Sequence, residues 1–335
     1  MPSPMHQVYI TDCLAPPALI EERELAGLAR VECLLARSGN ELIGRIENAD
    51  AIILFHEISL SADLIARLER CKVIVRGGVG FDNVDLLAAG ERGIPVCNVP
   101  DYGVDEVADH ALALMLALNR GLVRVERSLR RTLKPWDKDA VQPVPRLAGR
   151  TIGIVGLGRI GAATALRARA HRMNVIACDP HLRPGLEKVY NVPIVDLETL
   201  LRESDVVSMH TPLTDETRGL INARTLARMK PGALLINTAR GAVVDTDAVA
   251  DALESGHLGG AGIDVLASEP ATPSQRIVRL WQEDRQPPVN LILTPHTAYY
   301  SDAAIEEIRV KSAQEVARAL RGETLRNPVN TWKKR

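Results

Sequence analysis

The chain has 335 residues, 46% hydrophobic and 25% charged, with a formal net charge of −1. That balance predicts a globular protein of about two domains at roughly 150 residues each. It excludes a global electrostatic attraction to nucleic acid or to an anionic membrane. Cys13, Cys33, Cys71, Cys97 and Cys178 stand far apart without a CxxC pair, which predicts a reducing, cytoplasmic setting. No metal is expected. The opening MPSPMHQVYITD lacks a basic stretch followed by an apolar one and does not read as a signal peptide. The longest apolar run, 111–118, is short of the about 20 residues that span a bilayer.

In chain order, β-branched runs at 8–10, 51–55, 72–76 and 94–97 read as buried strands. Helical spacing fills 18–30, 61–69 and 83–92 between them. Such alternation predicts βα units around a mostly parallel sheet. A long apolar helix is expected at 104–130, opened by Asp105 and Glu106, acids that suit a helix N-terminus. Residues 134–146 hold three prolines and read as a linker. A second series follows, with strands at 152–155, 175–178, 206–209, 233–237, 261–265 and 291–293. Helices such as 160–169 and 246–254 fill the gaps, which predicts a doubly wound dinucleotide-binding domain. An amphipathic helix at 302–321 is expected to return to the first domain. The expected division is therefore 1–120 with 298–335 for substrate and 121–297 for cofactor.

Gly156-Leu157-Gly158-Arg159-Ile160-Gly161 fits GxGxxG between the apolar strand TIGIV and a helix. The first glycine permits a tight turn and the second lets the backbone approach a pyrophosphate. The third lets helix and strand pack closely, while the helix N-terminus offers N–H groups to phosphate. Asp179 ends the next strand, where a carboxylate accepts from the ribose hydroxyls and repels a 2′-phosphate; NAD(H) is expected over NADP(H).

Three more signatures stand at later strand ends: Asn237-Thr238-Ala239-Arg240-Gly241, Asp264 through Ser268-Glu269-Pro270, and Thr294-Pro295-His296. Reduction of a 2-oxo acid needs a cation for the carboxylate and a proton donor for the carbonyl oxygen. Arg240 offers a planar fork. His296 offers an imidazole, ordinarily titrating near pH 6.5, which Glu269 would orient. His6, His171, His181 and His257 read as surface or structural.

The ordered set RGGVGFDNVD (76–85), GLGRIG, NTARG and the TPH turn resembles the D-isomer-specific 2-hydroxyacid dehydrogenases. The resemblance implies an α/β fold of two doubly wound parallel-sheet domains, a Rossmann-type cofactor domain and a flavodoxin-like substrate domain, with a cleft between. It implies a homodimer through the cofactor domain and catalytic roles for Arg240, Glu269 and His296. Thr211, Pro212 and Thr217 of TPLTDET, with Thr238, Ala239 and Asp264, match cofactor positions. Amides around Gly78, Val79 and Gly80 match the segment that grips the substrate carboxylate.

Within the family, His56 in LFHEISL, Arg76 before GGVGFDN, and SDAAIEE are similar to the C-terminal-binding-protein-like branch, which includes transcriptional corepressors. Tyr299 stands where those corepressors carry a ligand-contacting tryptophan. Arg76 is read as a second substrate contact or as an ion-pair partner. Residues 270–288 look long for the family, as a dimer arm, a loop near the cleft or an inert insertion. Three readings compete: an NAD-dependent enzyme acting on a small D-2-hydroxy acid, an NAD(H)-sensing, corepressor-like binding protein, and a formate or phosphoglycerate dehydrogenase. Glutamate at 269, where formate enzymes carry glutamine, disfavours formate.

Overall fold

The computed structural model describes residues 5–283 and 288–332, which form two compact units, Met1–Gly103 with Ser301–Arg335, and Val104–Tyr300. The first holds five parallel strands: β1 (His6–Ile10), β2 (Ala29–Cys33), β3 (Ala51–Leu54), β4 (Val73–Arg76) and β5 (Val96–Asn98). Their order, β2-β1-β3-β4-β5, is the flavodoxin-like one. β3 and β4 are buried at every position because alternate side chains feed two separate cores. Ile52, Leu54 and Ile74 point to one face. Ala51, Ile53, Val73 and Val75 point to the other, where Ala313, Val316 and Leu320 cover them.

Those covering residues lie on the returning helix Asp302–Arg321, capped by Ser301 at its start and by Gly322, at φ 73, at its end. Arg309 of this helix forks onto Glu21, Nε to Oε1 at 2.9 Å and Nη2 to Oε2 at 2.7 Å.

The second unit holds β6 (Thr151–Val155), β7 (Asn174–Cys178), β8 (Val206–Met209), β9 (Ala233–Asn237), β10 (Leu258–Ile263) and β11 (Leu291–Leu293). All pairings are parallel, in the order β11-β10-β9-β8-β6-β7. Ile194 adds a single parallel bridge to Ala177 beyond β7, so a vestigial strand completes the dinucleotide-binding order. The chain runs outward from β6 to β7 and then crosses back to β8. The crevice outside the ends of β6 and β8 is therefore the switch point at which such sheets take ligands.

Three features differ from the sequence expectation. β2 falls partly within the stretch expected as helix 18–30; the helix covers only Leu19–Glu24, and Gly27, at φ 72, turns the chain. The expected helix 104–130 is two, Val104–Asn119 and Leu122–Thr132, divided at Gly121 in the left-handed region at φ 61. Ala111, Leu114, Met115 and Leu118 of the first half pack with Ile152, Ile154 and Ile236 of the second sheet. The compact units accordingly divide at 103/104 and 300/301, against the expected 120/121 and 297/298.

Residues 270–288 contain the helix Arg276–Gln282, whose Ile277, Val278 and Leu280 are buried in the second unit; 284–287 lie outside the described residues. Among the described residues no helix is long and apolar enough to cross a membrane.

Candidate active site

The glycine turn leaves β6 and enters the helix Arg159–Ala170. Each glycine meets a different constraint. At Gly156, φ is +92 and an added Cβ would lie 2.7 Å from the His210 carbonyl oxygen. At Gly161 it would lie 2.1 Å from the Gly156 oxygen, so helix and turn could not approach. At Gly158 it would meet nothing within 4 Å, which leaves that backbone open to a ligand. Arg159 and Ile160 form the first helical turn, with their amides at its positive end.

Asp179 follows β7; Oδ2 accepts from the Leu157 amide at 2.9 Å and Oδ1 from the His181 amide at 3.0 Å. Across the switch point, after β8, Thr211 Oγ1 is buried with no hydrogen-bond partner among the described residues, and Thr238 Oγ1 after β9 is the same. Buried hydroxyls are seldom left so. Two orphaned hydroxyls after β8 and β9, on the same carboxyl edge of the sheet as the glycine turn, fit a dinucleotide that would complete them. Thr217 closes the neighbouring loop, donating to the Pro212 carbonyl at 2.6 Å.

Register brings the later signatures together. Asn237 pairs with both Met209 and Ile263, and Ile263 pairs with Leu293, so four strands end level. The Asn237 amide group donates to the Arg240 carbonyl at 3.0 Å and its oxygen accepts from Ala239 at 3.1 Å, which curls the turn back on itself. Arg240 Nη1 donates to the Ala239 carbonyl at 2.8 Å. A Cβ on Gly241 would stand 1.9 Å from the Leu266 carbonyl carbon, so the arginine turn rests on the backbone that leads to Glu269.

Glu269 Oε1 accepts from the Leu266 amide at 2.8 Å, and Oε2 lies 2.8 Å from His296 Nδ1. The histidine side chain is 25% exposed and the glutamate 34%, so solvent and a small ligand can reach the pair. His296 itself sits at φ 54, a conformation costly for a non-glycine residue and concentrated at functional sites. The Tyr299 ring stands edge-on to the imidazole, 6.1 Å between centroids.

Asp264 is 2% exposed and braces this segment. Its carboxylate accepts from Thr294 Oγ1 at 2.5 Å and from the amides of Thr297 and Ala298 at 3.0 Å each. Its own carbonyl accepts from the His296 amide at 2.8 Å.

Sequence reasoning missed His110, whose Nε2 lies 3.1 Å from Thr294 Oγ1 and 3.7 Å from Asp264. No local signal marks it, since its partners are far along the chain. His210 was missed as well. Packing around its ring pushes its pKa down to about 4, and Nε2 lies 2.9 Å from Ser208 Oγ.

In the first unit, Arg76 ends β4 and is 8% exposed. Its Nη1 donates to the Gly77 carbonyl at 3.0 Å. A Cβ on Gly78, at φ +155, would stand 1.4 Å from that nitrogen, so the guanidinium lies directly against the glycine. Among the described residues the amides of Gly78, Val79 and Gly80 donate to no backbone carbonyl; successive free amides of this kind suit an anion.

A doubly wound sheet with a glycine cradle and orphaned hydroxyls defines a dinucleotide-binding protein, and an arginine and a histidine–carboxylate pair stand at its strand ends. Residues 112–298 match the family described as D-isomer specific 2-hydroxyacid dehydrogenase, NAD binding domain. The chain belongs to that family, and its cofactor is NAD.

Among curated relatives, D-3-phosphoglycerate dehydrogenase of Mycobacterium leprae (strain TN) is 37% identical over 290 residues, 87% of this chain and 53% of that protein. The chain spans about half the length of the curated relatives it matches. Among solved structures, a protein of Thermus thermophilus is 39% identical with a TM-score of 0.84, covering 96% of this chain and 99% of that one. A D-lactate dehydrogenase of Aquifex aeolicus, complexed with NAD and lactic acid, is 32% identical with a TM-score of 0.84, covering 94% and 96%.

Proposed function

We propose that the protein is an NAD-dependent oxidoreductase that interconverts a small D-2-hydroxy acid and its 2-oxo acid, with His296 as general acid/base. The observation that carries this reading is the 2.8 Å contact between His296 Nδ1 and Glu269. An ionised carboxylate only accepts hydrogen bonds, so it takes the proton on Nδ1 and leaves Nε2 as the ring atom that exchanges a proton with the substrate. Nε2 then gives its proton to the carbonyl oxygen in reduction and takes it from the hydroxyl in oxidation. Bound NADH supplies the hydride. Glu269 holds the plane of the ring. Arg240 pairs with the substrate carboxylate and polarises the carbonyl. In the first unit, the successive amides of Gly78, Val79 and Gly80, with Arg76 against Gly78 adding positive charge, suit a carboxylate, and in the second Tyr299 stands beside the imidazole.

The second unit is also proposed to mediate a homodimer. No residue of the helix Leu122–Thr132 is buried. Leu122, Leu133 and Trp136 are exposed at 58%, 66% and 76%, apolar area that a second copy would cover.

The test is NADH oxidation by the purified chain against glyoxylate, hydroxypyruvate, pyruvate, and longer aliphatic and thioether-bearing 2-oxo acids. Turnover with at least one acid is expected. NADH binding without turnover on any of them would favour the NAD(H)-sensing reading instead.

A further inference from the structure

A second convergence of chemistry-bearing side chains lies at the carboxyl edge of the first sheet. The strand order β2-β1-β3-β4-β5 reverses direction between β1 and β3, and ligands of open α/β sheets bind outside the strand ends at such a point. β1 runs into Thr11-Asp12-Cys13 and β3 into Phe55-His56-Glu57. Asp12, 0% exposed, joins the two ends. Its Oδ1 accepts from Thr11 Oγ1 at 2.7 Å and from the Phe55 amide at 2.8 Å. Its Oδ2 accepts from the Glu57 amide at 2.9 Å and lies 3.5 Å from Cys13 Sγ. So held, Cys13 sits at φ 61 with Sγ 3.9 Å from His56 Nδ1. One ligand atom from each of Cys13, His56 and Glu57 lies within 4.8 Å of the others.

We propose that Cys13, His56 and Glu57 form a binding site for a soft divalent cation, Zn2+ by the character of its donors. A thiolate and an imidazole select against Mg2+ and Ca2+, which prefer oxygen ligands throughout. Tetrahedral Zn2+ with its usual bond lengths sets sulfur and nitrogen about 3.6 Å apart, a few tenths of an ångström closer than the 3.9 Å observed. All three side chains are exposed, so a cation reaches them without opening the fold. The buried Asp12 carboxylate fixes the two strand ends against each other by accepting from the Phe55 and Glu57 amides, which holds the backbone that carries the three side chains. Three protein ligands leave a fourth position for water or a small anion. The chain separation of 43 residues between Cys13 and His56 is why no motif marks the site.

The test uses the full chain with reduced thiols and Co2+ as the spectroscopic probe. One equivalent is expected to give thiolate-to-cobalt charge-transfer absorption and tetrahedral ligand-field bands, both abolished by competing Zn2+. Cys13→Ser is expected to lose the charge-transfer band while keeping its circular dichroism and thermal midpoint. His56→Ala and Glu57→Gln should each bind at least about tenfold more weakly, more than one decade of affinity. On the unmutated chain, Zn2+ should protect Cys13 from alkylation, read by peptide mass, so the test does not depend on a variant folding. A band that persists in Cys13→Ser, an alkylation rate at Cys13 indifferent to Zn2+, or no band at a several-fold excess of Co2+ would overturn the site.

Discussion

Gly158 and Gly161 stand three residues apart in one turn and should fail in opposite ways when a methyl group is added. Space above Gly158 is open, and its φ of −74 suits any residue. Gly158→Ala should therefore leave stability within about 1 kcal/mol while weakening NADH binding at least about tenfold, because the methyl group occupies the approach of the pyrophosphate. Gly161→Ala puts its methyl 2.1 Å from the Gly156 oxygen and should cost about 1–3 kcal/mol of stability through overpacking. Thermal unfolding and NADH fluorescence titration separate the two outcomes; equal losses of stability would contradict the assignment of roles. The glycines, Asp179, Arg240, Glu269 and His296 were legible because each sits at a strand end with a local signature. His110 and the Cys13–His56 pair were not, because their neighbours come from remote chain positions that only the folded sheets bring together.

At the scale of elements, strands buried on both faces announced themselves as continuous apolar runs such as ALLIN at β9, whose five positions are all buried. β2 did not, because its ARVEC alternates between buried and exposed positions at a sheet edge and sits close behind a helical stretch. The break at Gly121 was hidden by helical spacing that continues through both halves, although only the first half has a face to bury.

Two predictions belong to this scale. His210, just beyond β8, is held at a pKa of about 4 against its usual 6.5. The folded protein stays neutral there while the unfolded chain takes up a proton. Stability is then fully present above about pH 6.5 and falls by about 3 kcal/mol as pH drops to about 4. Urea unfolding across that range should show the slope, and His210→Gln should reduce it; an unchanged slope would remove His210 as its source. Arg309→Met, which leaves the buried Glu21 carboxylate without its fork, should cost about 3 kcal/mol. A change below about 0.5 kcal/mol in the same assay would show the pair to be dispensable.

For the whole molecule, alternating βα composition was enough to expect two parallel-sheet domains and a returning C-terminal helix, and both sheets are present. Contact between the helix Val104–Asn119 and the second sheet was not readable, since an apolar helix carries no address. If the exposed Leu122, Leu133 and Trp136 lie in a dimer interface, sedimentation should give twice the chain mass, and Leu122→Glu with Trp136→Glu should shift it toward the monomer. A monomeric wild-type chain would contradict the proposed assembly.

The central claim is that His296, oriented by Glu269, transfers the proton. Its most direct test is His296→Ala assayed on whichever 2-oxo acid the wild-type chain reduces, with NADH affinity measured alongside. NADH affinity should stay within about threefold, less than 1 kcal/mol, while turnover should fall by about a hundred- to ten-thousand-fold, the range of general acid catalysis. Turnover near the wild-type rate would contradict the account.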